Sequence, residues 1–219
     1  MSTNHPAGST ALPGALFAFL FAFSGVAWCA STETSTLTAI ADVAAACAAE
    51  PMRGAVYYYC DCGTGADANC SPGDDTNAGT SAAAPRRTIA NAVARYNALT
   101  GTNTIAFCKG GAFDAKPTNW LSVANSSCAA GTTCNDFREY APTTFKNNAT
   151  PVAKPIINNA TANVTTFAVT GNNGGIRFLN LALKGDSGAL KNGNDAFFFY
   201  RGAHDVTMCN LDIDAFDLP

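Results

Sequence analysis

Apolar residues in this chain come mostly in short β-forming runs separated by Gly, Asn and Asp. Ala55-Val56-Tyr57-Tyr58-Tyr59-Cys60 reads as a strand, and so does Thr104-Ile105-Ala106-Phe107-Cys108, closed by Gly110-Gly111. Between them Ile89, Ala92, Val93, Tyr96 and Leu99 fall at i, i+3, i+4, i+7 and i+10, which predicts an amphipathic helix over 88–99 with one covered face. Pro85 precedes it and Thr100-Gly101 ends it. Leu37, Ile40, Val43, Ala44 and Cys47 also recur at helical spacing and predict a short helix within residues 31–54, with no evident role. Residues 114–152 read as an irregular, decorated loop anchored by Trp120, Cys128 and Cys134. Strands resume around Lys154-Pro155-Ile156-Ile157 and at Thr165–Val169.

The C-terminal part repeats itself. Ile176-Arg177-Phe178-Leu179-Asn180-Leu181-Ala182-Leu183 aligns with Val206-Thr207-Met208-Cys209-Asn210-Leu211-Asp212-Ile213, 30 residues on. A third apolar run, Ala196–Tyr200, lies between them. Strands that return once per turn, with Asn at an equivalent place, mark a solenoid. Asn tolerates the left-handed conformation such a turn needs, and its amide can bond the Asn of the next turn.

The apolar run Ala15–Ala27 spans 13 residues, short of the roughly 20 that cross a membrane. With Gly25-Val26-Ala27 as a small-residue cleavage site, residues 1–27 read as a signal peptide, against the alternative of a retained anchor. Residues 28–54 are then a Ser/Thr/Ala-rich segment, and the mature chain is expected to be secreted or held at the cell surface, without a membrane span. Nine cysteines in an exported chain imply disulfides. Cys128 and Cys134 are close enough in sequence to close a local loop; the remaining pairing is not deducible. A net charge of −3 with no basic stretch speaks against nucleic acid as a partner. Four N-x-S/T sites, at Asn125, Asn148, Asn159 and Asn163, would be surface loops in a eukaryotic secretory route, the alternative being chance matches in a Thr- and Asn-rich chain.

The blocks Tyr57-Tyr58-Tyr59, Gly73-Asp74-Asp75-Thr76-Asn77-Ala78-Gly79-Thr80, Pro85-Arg86-Arg87-Thr88-Ile89-x-x-Ala92, Thr104-Ile105 and Gly110-Gly111-Ala112-Phe113 resemble the opening of the right-handed parallel β-helix proteins of the pectate-lyase-like superfamily. Gly174–Leu181 resembles one of their coils. The resemblance implies an all-β fold over 55–219: a right-handed parallel β-helix whose first coil is capped by the helix at 88–99. The chain stops at Leu218-Pro219, just after a strand, with about three coils and no second cap visible. The expectation is therefore a fragment, inactive by itself; a chain that covers its open end by oligomerising is the alternative.

The fold leaves activity open. Members of this superfamily act on or bind polysaccharides, or serve as adhesins and structural surface proteins without catalysis. A lyase of acidic polysaccharide needs a cation for the uronate carboxylate and a base for the C5 proton; a glycoside hydrolase needs paired carboxylates. The catalytic candidates are Arg201, His204, Asp212 and Asp214, with Lys184 and Asp205 as candidate substrate contacts, the alternative being that all are solvated turn and surface residues such as any β-helix displays. The Asp74 and Asp75 oxygens are candidate Ca²⁺ ligands, the alternative being an Asx-turn loop stapled by a disulfide.

Overall fold

A computed structural model describes residues 42–115, 121–125, 134–141, 153–159, 165–170, 174–185, 195–200 and 202–216. Twelve short strands run through them: β1 Ala55–Tyr59, β2 Asn103–Cys108, β3 Ala112–Asp114, β4 Leu121–Val123, β5 Asn135–Tyr140, β6 Ile156–Asn158, β7 Phe167–Val169, β8 Ile176–Leu179, β9 Ala182–Lys184, β10 Phe197–Phe199, β11 Thr207–Cys209 and β12 Asp212–Asp214. They form three sheets: A in the order β1-β2-β5-β8-β11, B as β3-β6-β9-β12, and C as β4-β7-β10. Every pairing between them is parallel. From β2 onward the chain visits A, B and C in turn, so each strand lies beside the one laid down a round earlier. Among the described residues two short helical stretches accompany them, over residues 42–49 and Ile89–Ala98.

The 30-residue repeat appears directly as register. Thr207, Met208 and Cys209 pair with Arg177, Phe178 and Leu179, and Asp212 pairs with Ala182. Between sheets A and B the chain turns at Asn180 and Asn210, both left-handed at φ 56° and 53°. A short amide side chain suits that conformation, and the Asn210 amide donates to Asn180 Oδ1 at 2.7 Å. Turn conformation and lateral bond are thus supplied by one residue type.

Inward columns of the sheets build the core. The Phe137 ring lies near-parallel to Phe107 (6.3 Å, 10°) and to Phe178 (5.2 Å, 7°). Phe113, Ile157 and Leu183 line the inner face of sheet B and are all but inaccessible. Aromatic pairs add about 0.5–1.5 kcal/mol each beyond burial, so the stack binds successive rounds together as well as filling space.

The helix Ile89–Ala98 covers one end. Ile89, Ala92, Val93 and Tyr96 are buried, and the Tyr96 ring lies 4.8 Å from Phe137. Thr88 caps its N-terminus, taking the Asn91 N–H on Oγ1. At the other terminus the Asn125 amide donates to the carbonyls of Tyr96 (2.6 Å) and Leu99 (2.7 Å). The free edge of β1 is covered too: Tyr58 exchanges backbone hydrogen bonds with Gly79 and Arg86.

Two expectations need correction. The stretch 114–152 is not simply a loop, because it supplies β4 and β5. Strand β5, Asn-Asp-Phe-Arg-Glu-Tyr, is polar in sequence yet wholly buried. The sequons at Asn125 and Asn159 are not surface sites either; both side chains are buried, Asn125 on the helix terminus and Asn159 against Thr166. Asn148 and Asn163 lie outside the described residues, as does the predicted signal peptide.

Candidate functional site

Sheet B presents an in-register row of polar side chains on its outer face. Its outward positions fall into two columns. One holds Ala112, Ile156, Ala182 and Asp212; the other holds Asp114, Asn158, Lys184 and Asp214. Alternation in the strands turns Phe113, Ile157 and Leu183 inward and leaves the second column facing out. Four neighbouring strands, about 4.8 Å apart, therefore carry carboxylate, amide, ammonium and carboxylate in a row. Asn158 donates to Asp114 Oδ1 at 3.2 Å and to the Thr64 carbonyl at 2.7 Å. Thr64 belongs to the loop closed by the disulfide Cys62–Cys70.

A polar relay runs behind this row, at the turn from sheet A to sheet B. Lys154 Nζ donates to Asp212 Oδ1 (2.6 Å) and to Asn210 Oδ1 (3.0 Å). Asn210 donates onward to Asn180. Glu139 is almost wholly buried, and desolvation pushes its carboxyl above the usual glutamate value against the opposing pull of Arg138, Asn180 and Lys109. Its carboxylate lies 3.7 Å from Arg138.

The sequence-derived candidates divide between two places. Lys184 and Asp214 are register partners; Asp212, on the same strand as Asp214, pairs instead with Lys154. His204 and Asp205 stand elsewhere, on the turn from sheet C to sheet A, with His204 Nδ1 3.3 Å from Asp205 Oδ2. Asp205 is left-handed at φ 50°. His204 packs over Gly174, where an added Cβ would fall 1.8 Å from Nδ1. Arg201 lies outside the described residues.

Asp74 and Asp75 have protein partners for their oxygens. Asp74 accepts from the Thr76 N–H and hydroxyl, which hold its carboxyl below the usual range. Burial pushes Asp75 up, but bonds from Thr88 and Arg87 outweigh it and leave the carboxyl lowered. These are the bonds of a turn, and the Cys62–Cys70 bridge staples the same loop. Cys60 pairs with Cys108 and Cys47 with Cys209. The sulfurs of Cys60, Cys70 and Cys108 come within 4.8 Å of one another, but all three are committed to disulfides. Cys134 is also disulfide-bonded, while Cys128, its expected partner, lies outside the described residues. These bridges suit an oxidising, extracytoplasmic setting, and among the described residues no helix is long and apolar enough to cross a membrane.

Sequence reading did not single out Asp114, Asn158 and Lys154. The sheet B columns are spaced by 44, 26 and 30 residues, so no fixed period points to them. Comparison with protein-family models, curated proteins and solved structures gives no match to this chain.

Proposed function

We propose that this chain is an extracytoplasmic right-handed parallel β-helix protein of the pectate-lyase-like kind that binds polysaccharide along the outer face of sheet B. Cyclic passage through three parallel sheets, left-handed Asn corners and a helix over the first round support the fold reading. The in-register row Asp114, Asn158, Lys184 and Asp214 carries the functional one. Such a row offers donors and acceptors at strand spacing to a polymer of hydroxyls and carboxylates, and Lys184 supplies the cation for a sugar acid.

Binding without turnover is the reading we adopt. A uronate lyase brings base and cation to one sugar, whereas His204 and Asp205 occupy a different corner from Lys184 and Asp214. The test is titration of the full chain with polygalacturonate, alginate and a neutral glucan. The expected result is binding of an acidic polymer that weakens at least tenfold in Lys184→Ala/Asp214→Ala, with the circular dichroism unchanged. Absence of binding to all three polymers overturns the proposal. Release of unsaturated uronate products would replace binding by lyase action.

A further inference from the structure

The outer face of sheet A is as charged as that of sheet B, yet it is hidden. Its columns place Thr104, Asp136, Arg177 and Thr207 in one row, and Tyr58, Ala106, Arg138, Leu179 and Cys209 in the next. Asp136 is fully buried and Arg138 is 4% exposed. The segment 42–53 provides the cover, crossing the strands in the reverse of their stacking order. Cys47 is bonded to Cys209 of β11. Arg138 of β5 donates to the carbonyls of Ala48 (3.3 Å) and Glu50. The Glu50 carboxylate meets Arg177 of β8. The Arg53 backbone exchanges two bonds with the Thr104 hydroxyl of β2, each 2.9 Å.

Apart from Met52, which packs against the core, this strap makes few apolar contacts. Over 42–50 only Cys47 is buried, and Val43 is 57% exposed. A helix of this length is not stable alone. The attachment is one disulfide, the contacts to Arg138, Arg177 and Thr104, and the ion pair of Arg53 with Asp136 at 3.8 Å. Beneath it Arg177 is bonded to Asp136 through Nε (2.7 Å) and Nη2 (2.8 Å). Arg138 Nε has no hydrogen-bond partner among the described residues, although it is buried. With the strap away, the face keeps Arg177 paired with Asp136 and, in the next column, Arg138, whose Nη2 lies 3.7 Å from Glu139.

We propose that the strap is a displaceable cover over a second binding face, on sheet A, that takes a carboxylate-bearing sugar polymer, with Glu50 standing where the ligand carboxylate sits. This rests on the polysaccharide reading given above for sheet B. What the strap offers Arg138 and Arg177 is a row of oxygens, two carbonyls and one carboxylate. A uronate chain repeats that pattern, and the planar guanidinium fork matches its carboxylate. Tyr58, in the column of Arg138, adds a partly exposed ring.

The test uses the full chain with the bridge removed, Cys47→Ser/Cys209→Ser, titrated with polygalacturonate, poly-glutamate and dextran. Polygalacturonate binding is expected to tighten at least tenfold over the parent. Adding Arg138→Gln/Arg177→Gln is expected to cancel the gain, and adding Lys184→Ala/Asp214→Ala to leave it. If circular dichroism shows the serine variant unfolded, Glu50→Gln with the bridge intact is expected to give a threefold gain that the same arginine changes remove. Three results overturn the proposal: no gain in the folded variant, a gain that survives loss of both arginines, or equal tightening for poly-glutamate, which would make this a peptide-binding face. A gain lost only with Lys184 and Asp214 would return the effect to sheet B.

Discussion

The two ends of the strand stack are built from the same columns and meet water very differently. In the middle rounds Val169, Phe178 and Leu183 are 0%, 0% and 1% exposed; their register partners in the last described round, Phe199, Met208 and Ile213, are 42%, 41% and 50% exposed. At the first end the helix Ile89–Ala98 and the Gly79–Arg86 segment cover both the apolar floor and the strand edge. At the last described round, Phe199, Ala203, Val206 and Met208 line an open hollow of about 350 Å³. Apolar side chains in the same register thus differ in worth according to whether a further layer lies above them. Position in the stack, rather than residue type, sets how much burial each contributes.

Three substitutions sharpen this contrast. Phe137→Ala removes a ring packed between Phe107 and Phe178 and should cost about 3–5 kcal/mol, read as a lower denaturant midpoint. A cost near that of a surface change would mean that the middle rounds are not the tight part of the stack. The second test is pH. Both buried carboxylates among the described residues, Asp136 and Glu139, lie on β5. Burial raises Glu139 above its ordinary 4.5, so the folded chain prefers it protonated. Its contribution is full below that ordinary value and is lost as pH climbs through the raised one. Glu139→Gln should flatten this part of the melting-temperature profile, and an unaltered profile would assign the dependence to another group. The smallest effect is expected at the open end. Met208→Ala, in the same column as Phe137, should cost under about 1 kcal/mol, because its side chain is already 41% exposed. A loss comparable to that of Phe137→Ala would show that something covers this end in solution.

The last rounds were legible in sequence because their spacing is constant. A fixed offset of 30 brings Asn210 beside Asn180, and both the left-handed turn and the amide bond follow from the chemistry of Asn. The helix Ile89–Ala98 was equally plain, since its buried face is its apolar stripe. Strand β5 was hidden by its composition. Asp136 and Arg138 look solvated, and they are buried only because residues 42–53 cross over them. The helix in that segment could be read from its spacing, but its place could not: it is fixed by Glu50, Arg53 and Cys47 meeting residues far along the chain. The sheet B row was out of reach for a related reason, because loops of unequal length between its strands erase the period.

The bridge Cys47–Cys209 also changes what the molecule does under tension. The two cysteines are 162 residues apart in sequence and enclose all but the last of the twelve strands. A pull applied outside them passes from one sulfur to the other and bypasses every strand but β12. A length of roughly 550 Å of chain is thereby withheld from extension. Sheets of strands only three to six residues long are mechanically shielded by a single covalent shunt.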